Sequence, residues 1–301
     1  MPDPVSDLVA LEGFQTGLLF GFVAALGIAL VAVVGRAARP WAGAAFALAG
    51  IATLEDLYRV ETAAILGLVL IIAGGHLVAN RAPLLQIAAT VPGTAVFVTG
   101  TDLDRPGWAV PMIIGVTLIG GGLTASFDRV LAPRGMAPLL LAVTALGIYL
   151  TTPDTEHSAV LLGVALPVAL LAFPWPLATL GVGGSFASAA LLAWVVAIDG
   201  VGRDGAIVGA VACLGVLAVE PVVRMAARGR GRRAVPPAPV PLRYSARVVV
   251  VHVVLVAVCS RIGGLRSSAV EAFVVCAVAY AAAAVALTVQ TARRREPAHV
   301  V

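Results

Sequence analysis

Apolar runs of 13 to 24 residues recur along the whole chain, separated by short segments rich in charge or proline. A bilayer core needs roughly 20 apolar residues per helix. Eleven runs are candidate spans, and those at 41–54 and 248–260 are the shortest. The candidate spans are Leu11–Val34, Trp41–Leu54, Thr62–Ala79, Pro83–Gly100, Trp108–Ser126, Met136–Leu150, Ser158–Phe173, Leu177–Ile198, Gly205–Val223, Val248–Ser260 and Ser267–Val289. The sequence therefore predicts an all-α, polytopic integral membrane helix bundle with about eleven transmembrane helices.

The composition excludes several other classes of protein. Hydrophobic residues make up 60% of the chain and charged residues only 12%, whereas soluble domains are about half apolar and about a quarter charged. The mean hydropathy of +1.02 shows that the apolar excess is spread along the chain. These values argue against a soluble globular enzyme, a disordered tail protein and a nucleic-acid-binding domain.

The charges predict an orientation across the bilayer. All 20 basic residues are arginine, and with the N-terminus outside, 15 of them fall on the inner side and 5 on the outer side. The acidic residues are distributed the other way, with 3 inside and 13 outside. Cytoplasmic loops carry the excess of positive charge, so the N-terminus is predicted outside and the C-terminus inside. Exclusive arginine usage suits a GC-rich bacterial genome, and the predicted location is the bacterial plasma membrane.

One sizeable polar segment divides the chain. Residues 1–223 are predicted to form a nine-span body, residues 224–247 a cytoplasmic Arg/Pro-rich linker, and residues 248–301 a two-span tail. The proline-rich half of the linker should be extended and semi-rigid. Arginines near a membrane surface attract anionic lipid. The simpler interpretation, which we favour, is that the loop acts only as a topological signal. The candidate lipid contacts are Arg228, Arg230, Arg232 and Arg233.

Acidic residues on the predicted outer face are the most distinctive polar feature. They lie in four loops, at Glu55, Asp56 and Glu61, at Asp102 and Asp104, at Asp154 and Glu156 beside His157, and at Asp199 and Asp204. If these loops converged over the bundle, they could attract cations or cationic solutes. The alternative is that short outer hairpins need polar residues and that basic ones are excluded from this face.

Ionisable residues inside the predicted spans are scarce, and each is a functional hypothesis by default. His76 and His252 could each simply hydrogen-bond a neighbouring helix. Glu220 and Arg224 are four residues apart, which predicts a local ion pair at the inner boundary. Asp128 and Arg129 are predicted to form a solvated inner turn. The cysteines are predicted to act as small hydrophobes; they are Cys213, Cys259 and Cys276.

Small residues at helical spacing predict close helix contacts. The two clearest patterns are Gly17-x-x-x-Gly21 and Gly205-x-x-x-Gly209, since small side chains let membrane helices approach closely. The runs at 120–122 and 181–184 predict close packing, a kink or an unwound stretch.

The sequence contains no Walker motif, HExxH, GxSxG, CxxC or dinucleotide fingerprint. The leading hypothesis is a non-enzymatic, permease-like or accessory membrane component that contacts the lipid bilayer and could pack beside another membrane protein. No cofactor or metal is predicted. The alternative is an outer-leaflet enzyme that acts on a lipid-linked substrate. Its candidate site residues are Asp102, Asp104, Asp154, Glu156 and His157.

Overall fold

A computed structural model describes residues 4–34, 40–101, 107–131, 136–152, 156–172, 178–199, 204–229, 242–265 and 268–293. Among these residues 92% are helical and none lies in a β-strand, which confirms the all-α prediction. Six helical segments are long and apolar enough to cross a membrane. They are Glu12–Ala32, Ala109–Arg129, Val182–Asp199, Asp204–Ala226, Ala246–Gly263 and Ala269–Thr288. The total of eleven spans and the orientation stay predictions.

Fourteen α-helices follow one another in the described part of the chain. They are α1 Pro4–Ala10, α2 Glu12–Val34, α3 Ala42–Tyr58, α4 Thr62–Leu77, α5 Pro83–Thr99, α6 Ala109–Gly115, α7 Gly121–Leu131, α8 Met136–Thr151, α9 Glu156–Ala172, α10 Val182–Asp199, α11 Asp204–Gly215, α12 Val219–Gly229, α13 Leu242–Leu265 and α14 Ala269–Arg293. A π-helical turn joins α6 to α7, and a 3-10 turn joins α11 to α12. Each of the eleven predicted spans overlaps one of these helical segments.

Helix α10 is the centre of the bundle. All of its residues from Val182 to Ala197 are buried, and it packs against α3, α4, α7, α9 and α11. Its N-terminal half is built from small residues, so neighbouring backbones approach it closely. A Cβ atom on Gly183 would lie 2.2 Å from the carbonyl oxygen of Ile72 in α4.

Both predicted glycine patterns lie at close helix contacts. A Cβ atom on Gly17 in α2 would lie 2.5 Å from the carbonyl oxygen of Val160 in α9. One on Gly209 in α11 would lie 2.6 Å from the Cα atom of Gly263 in α13. The packing predicted for these two patterns is therefore confirmed. In the glycine run at 120–122, Gly121 directly follows the π-helical turn and packs against Phe186 of α10.

The predicted ion pair on α12 is present. Arg224 Nε lies 2.8 Å from one carboxylate oxygen of Glu220 and 2.9 Å from the other. Arg224 Nη2 also donates to the backbone oxygen of Ser126 in α7, at 3.2 Å. The carboxylate is only 1% exposed. The pair is therefore buried, and through Arg224 it connects α12 with α7.

The predicted solvated turn at Asp128 and Arg129 is wrong for Asp128, which is buried. Its side chain is 4% exposed and accepts hydrogen bonds from the backbone N–H groups of Leu180 (3.1 Å) and Gly181 (3.0 Å). These groups directly precede α10. The N–H groups at the start of a helix have no partner within it, and a carboxylate there is favoured by the helix dipole. Asp128 thus ties α7 to the entrance of the central helix.

Helices α13 and α14 pack onto the earlier helices α8, α11 and α12. The three cysteines lie on α11, α13 and α14, and each is buried with a free thiol. His252 of α13 is also buried, with Nδ1 2.6 Å from the carbonyl oxygen of Val248 and its ring 5.3 Å from that of Phe127.

Candidate functional site: two cavities at opposite ends of the central helix

A cavity of about 400 Å³ opens where five helix ends meet, all of which the sequence predicts to face outward. The ends are those of α3, α5 and α10 and the starts of α4 and α9. We call it the outer cavity. Its lining residues are Leu54, Tyr58, Arg59, Val60, Glu61, Gly100, Thr101, His157, Trp194 and Ile198.

Three polar contacts hold the start of α9 at this cavity. Tyr58 Oη donates a hydrogen bond to Glu156 Oε2 at 2.6 Å. His157 Nδ1 lies 2.9 Å from Asp199 Oδ1, while the backbone N–H of Ser158 donates to Asp199 Oδ2 at 3.1 Å. We call these contacts the outer latch, because they connect α9 with α3 and with α10.

The aromatic rings in the latch stack on each other. The ring centroids of Tyr58 and His157 are 4.4 Å apart, with an angle of 41° between their planes. Tyr58 lies four residues beyond the predicted span 41–54. Burial, followed by the hydrogen bond to Glu156, raises the pKa of Tyr58 above its ordinary value. Its hydroxyl therefore stays protonated and remains a hydrogen-bond donor.

Two buried polar atoms at this end of the bundle have no hydrogen-bond partner within the described residues. They are Trp194 Nε1 and Glu55 Oε2. Trp194 is 6% exposed, lines the outer cavity, and packs edge-on against Phe97 with ring centroids 6.1 Å apart. Leaving a buried donor unpaired costs about 1–3 kcal/mol, so the indole N–H of this cavity-lining residue needs an acceptor, which a ligand or solvent would supply after a small movement of the side chain.

A second cavity, of about 390 Å³, lies at the other end of α10. We call it the inner cavity. Its lining residues are Pro40, His76, Ala79, Asn80, Ala125, Asp128, Arg129, Thr179, Gly181 and Val182. His76 stacks on Trp41 with ring centroids 4.2 Å apart. Arg129 Nη2 donates to the backbone oxygen of Ala79 at 2.8 Å. His76 therefore makes an aromatic contact at a cavity wall.

Helix α10 extends from the inner cavity to the outer cavity. Val182 at the inner cavity and Trp194 at the outer cavity are twelve residues apart on α10, which corresponds to about 18 Å along a helix. The intervening residues Phe186 and Leu191 of α10 are fully buried, as are Leu68 and Ile71 of α4. A layer of packed apolar side chains thus separates the outer cavity from the inner cavity.

The structure brings some of the predicted site residues together. Glu156 and His157 both lie in the outer latch, whereas Asp102, Asp104 and Asp154 lie outside the described residues. Of the candidate lipid contacts, Arg228 lies in α12, and Arg230, Arg232 and Arg233 are outside the described residues. Within the part of the chain that the structure describes, no group of three or more His, Cys, Asp or Glu side chains is arranged to hold a metal ion.

Sequence reasoning missed Tyr58 and Trp194, and it did not pair His157 with Asp199. Both aromatic residues lie near the outer ends of predicted spans, a position typical of Tyr and Trp in membrane helices. That position carries no information about which helix ends are neighbours. Comparison with protein-family models finds no match for the chain, and comparison with curated proteins finds no significant match.

Proposed function

We propose that this protein is a permease-like membrane protein that moves a small polar solute between the outer and inner cavities. The observation that supports this function is the pair of cavities at opposite ends of α10, each lined in part by polar side chains, with a packed apolar layer between them. Binding sites between the helices of a bundle are common. In carriers, alternating access moves one group of helices against another around a central site.

The helix contacts beside α10 suit such a movement. Gly184 of α10 packs on Gly43 of α3, and Gly183 packs on the backbone of Ile72 in α4. Small residues carry no long side chains that would interlock across these interfaces. Small sliding movements of packed helices are one established form of conformational change, and here they would change access to either cavity.

In such a cycle, the contacts of the outer latch would form in one state of the protein and break in the other. The latch joins α9 to α3 and α10 through side chains, at the mouth of the outer cavity. A hydrogen bond contributes about 1 kcal/mol to the state in which it forms, which is about a fivefold change in a population ratio. Weakening the latch should therefore favour a state with a more open outer cavity and a more closed inner cavity.

Cysteine labelling tests this proposal without knowledge of the solute. In a chain with Cys213, Cys259 and Cys276 replaced by alanine, Val60→Cys reports the outer cavity and Asn80→Cys the inner one. A membrane-impermeant maleimide should modify the first from outside intact cells and the second only in inverted vesicles. Adding Tyr58→Phe should speed modification at position 60 and slow it at position 80, each by about fivefold.

Thr99→Val is the matched control, because it also removes one hydroxyl near this face, where Thr99 donates only to Val96 of its own helix. It should leave both labelling rates unchanged. Modification of both cysteines from the same side would contradict the two-cavity arrangement. If the labelling rates at positions 60 and 80 are the same with and without Tyr58→Phe, access to the two cavities is not coupled. The result would then indicate a bundle that does not change conformation.

A second candidate function is acid–base catalysis at the outer face. The observation that favours it is the His157–Asp199 contact, since a carboxylate that binds Nδ1 orients the ring and leaves Nε2 for proton transfer. His157 lines the outer cavity, and Asp199 is 1% exposed. This geometry resembles the pairing of a general base with its orienting group, which supports the hypothesis of an enzyme that acts on a lipid-linked substrate.

The enzymatic hypothesis predicts turnover of a polyprenyl-diphosphate-linked sugar by the purified protein in liposomes. His157→Gln should then lower the rate by about 100-fold or more, the usual contribution of a positioned acid or base. Gln15→Ala is a control, because Gln15 is on α2 and donates to Val9. A wild-type protein that leaves the lipid-linked sugar intact would contradict this candidate.

A further inference from the structure

We propose that the outer cavity binds a small zwitterion with an aliphatic side chain, of the neutral amino-acid class. The inference rests on the proposed function, since it names the solute that would enter the outer cavity. The ligand's carboxylate would interact with Arg59 and Trp194 Nε1, and its ammonium group with Glu61. Recognition of such a ligand depends on the polar groups of the cavity that are not already bound within the protein.

Most polar groups of the cavity are already bound within the protein. Tyr58 donates to Glu156, His157 contacts Asp199, and Thr101 donates to the backbone oxygen of Val98. By contrast, the structure shows no hydrogen bond or ion pair for the side chains of Arg59 and Glu61 within the described residues. Among the described residues that line the cavity, one cation, one anion and one N–H donor therefore have no partner.

The local backbone places Arg59 at the cavity wall. It caps α3 in the left-handed conformation, with φ of 60°, and its backbone N–H donates to the carbonyl oxygen of Glu55. A non-glycine residue with positive φ is uncommon, and here it ends the helix and turns the chain towards α4. Arg59 and Glu61 consequently both line the cavity from one short loop.

The pair of opposite charges selects against singly charged solutes. A simple anion would meet Glu61 together with the nearby carboxylates of Glu156 and Asp199, whereas a simple cation would leave the guanidinium group of Arg59 without an acceptor. Like charges at close range are unfavourable. A molecule that carries both signs satisfies both residues, and its carboxylate also supplies the acceptor that Trp194 Nε1 lacks.

Part of the wall is apolar. Leu54, Val60 and Ile198 line the cavity together with the backbone of Gly100. Burial of an apolar group against such side chains is favourable, because it removes apolar surface from water. The volume of about 400 Å³ accommodates an amino acid of medium size with a few water molecules, which favours an aliphatic side chain over a long charged one.

Titration calorimetry with the full-length protein in lipid nanodiscs tests the inference. The probes are L-leucine, 4-methylpentanoate, which lacks the ammonium group, and 3-methylbutylamine, which lacks the carboxylate. We expect L-leucine to bind at least tenfold more tightly than either single-charge analogue. Trp194→Phe keeps an aromatic ring but removes the N–H donor, and it should weaken L-leucine binding by about tenfold.

Arg59→Gln should also weaken L-leucine binding by tenfold or more, and because Arg59 is exposed it should not disturb folding. Trp108→Phe is the matched control, since Trp108 lies before α6 and not in the outer cavity. Undetectable L-leucine binding, equal binding of an analogue, or unchanged affinity in Trp194→Phe would each overturn the inference. The proposed function is judged separately, by the labelling rates at positions 60 and 80.

Discussion

Adding a single methyl group at Gly183 is expected to lower the free energy of unfolding by about 3 kcal/mol, at the upper end of the usual cost of overpacking. The new Cβ atom of Gly183→Ala would lie 2.2 Å from the carbonyl oxygen of Ile72 and 2.9 Å from its carbonyl carbon. Both are backbone atoms of α4, so no side chain can rotate to make room. The helices must separate instead, and α10 then loses contacts throughout the centre of the bundle.

Thermal unfolding of the purified protein in mild detergent, followed by tryptophan fluorescence, measures this effect. Gly27→Ala is the matched control, because a Cβ atom at Gly27 in α2 meets nothing within 4 Å. That change should leave the midpoint unchanged or raise it, since alanine is favoured over glycine in a helix by about 0.5–1 kcal/mol. Equal midpoints for Gly183→Ala and the wild type would show that α4 and α10 are farther apart than described here.

Breaking the buried pair on α12 is expected to have the second large effect. Arg224→Met removes the arginine that forms the ion pair with Glu220, and it also removes the hydrogen bond to Ser126. Breaking a buried ion pair by removing one of its members typically costs about 3–5 kcal/mol. The free energy of unfolding should fall by about that amount.

A double-mutant cycle separates the charge from the packing. Glu220→Gln combined with Arg224→Met should be more stable than Arg224→Met alone, because the buried negative charge that Arg224 balanced is then absent. Arg261→Met is the control for an exposed arginine, and it should change stability by less than about 0.5 kcal/mol. A double variant no more stable than the single one would contradict the buried pair as the source of the effect.

The sequence predicted local interactions well. The Glu220–Arg224 pair follows from a spacing of four residues on a helix, and the contact at Gly17 follows from a small-residue pattern. Both signals lie within a few residues of the chain and depend on helix geometry alone. Asp128 was misjudged because its partners are Leu180 and Gly181, more than 50 residues away. A neighbouring arginine suggested solvent, while the structure places the carboxylate at the start of α10.

In the candidate site too, the sequence predicted local features but not the contacts between distant segments. Clustering of acidic residues predicted that Glu156 and His157 belong to the outer face, and it also identified Asp199 in a separate loop. The latch itself requires α9 to lie beside α3 and α10, so that Tyr58 meets Glu156 and His157 meets Asp199. Pairing of this kind depends on which helices are neighbours, and hydropathy is the same for many arrangements of the same apolar helices.

The sequence alone determined the class of the protein, because backbone groups in a lipid environment must be satisfied within each helix and long apolar runs leave few alternatives. It also determined where polar residues are rare and which short-range contacts form. Only the tertiary structure decided that α10 is central and that two cavities lie at its ends. Those features arise from close backbone contacts between distant segments, where small residues such as Gly183 allow one specific approach.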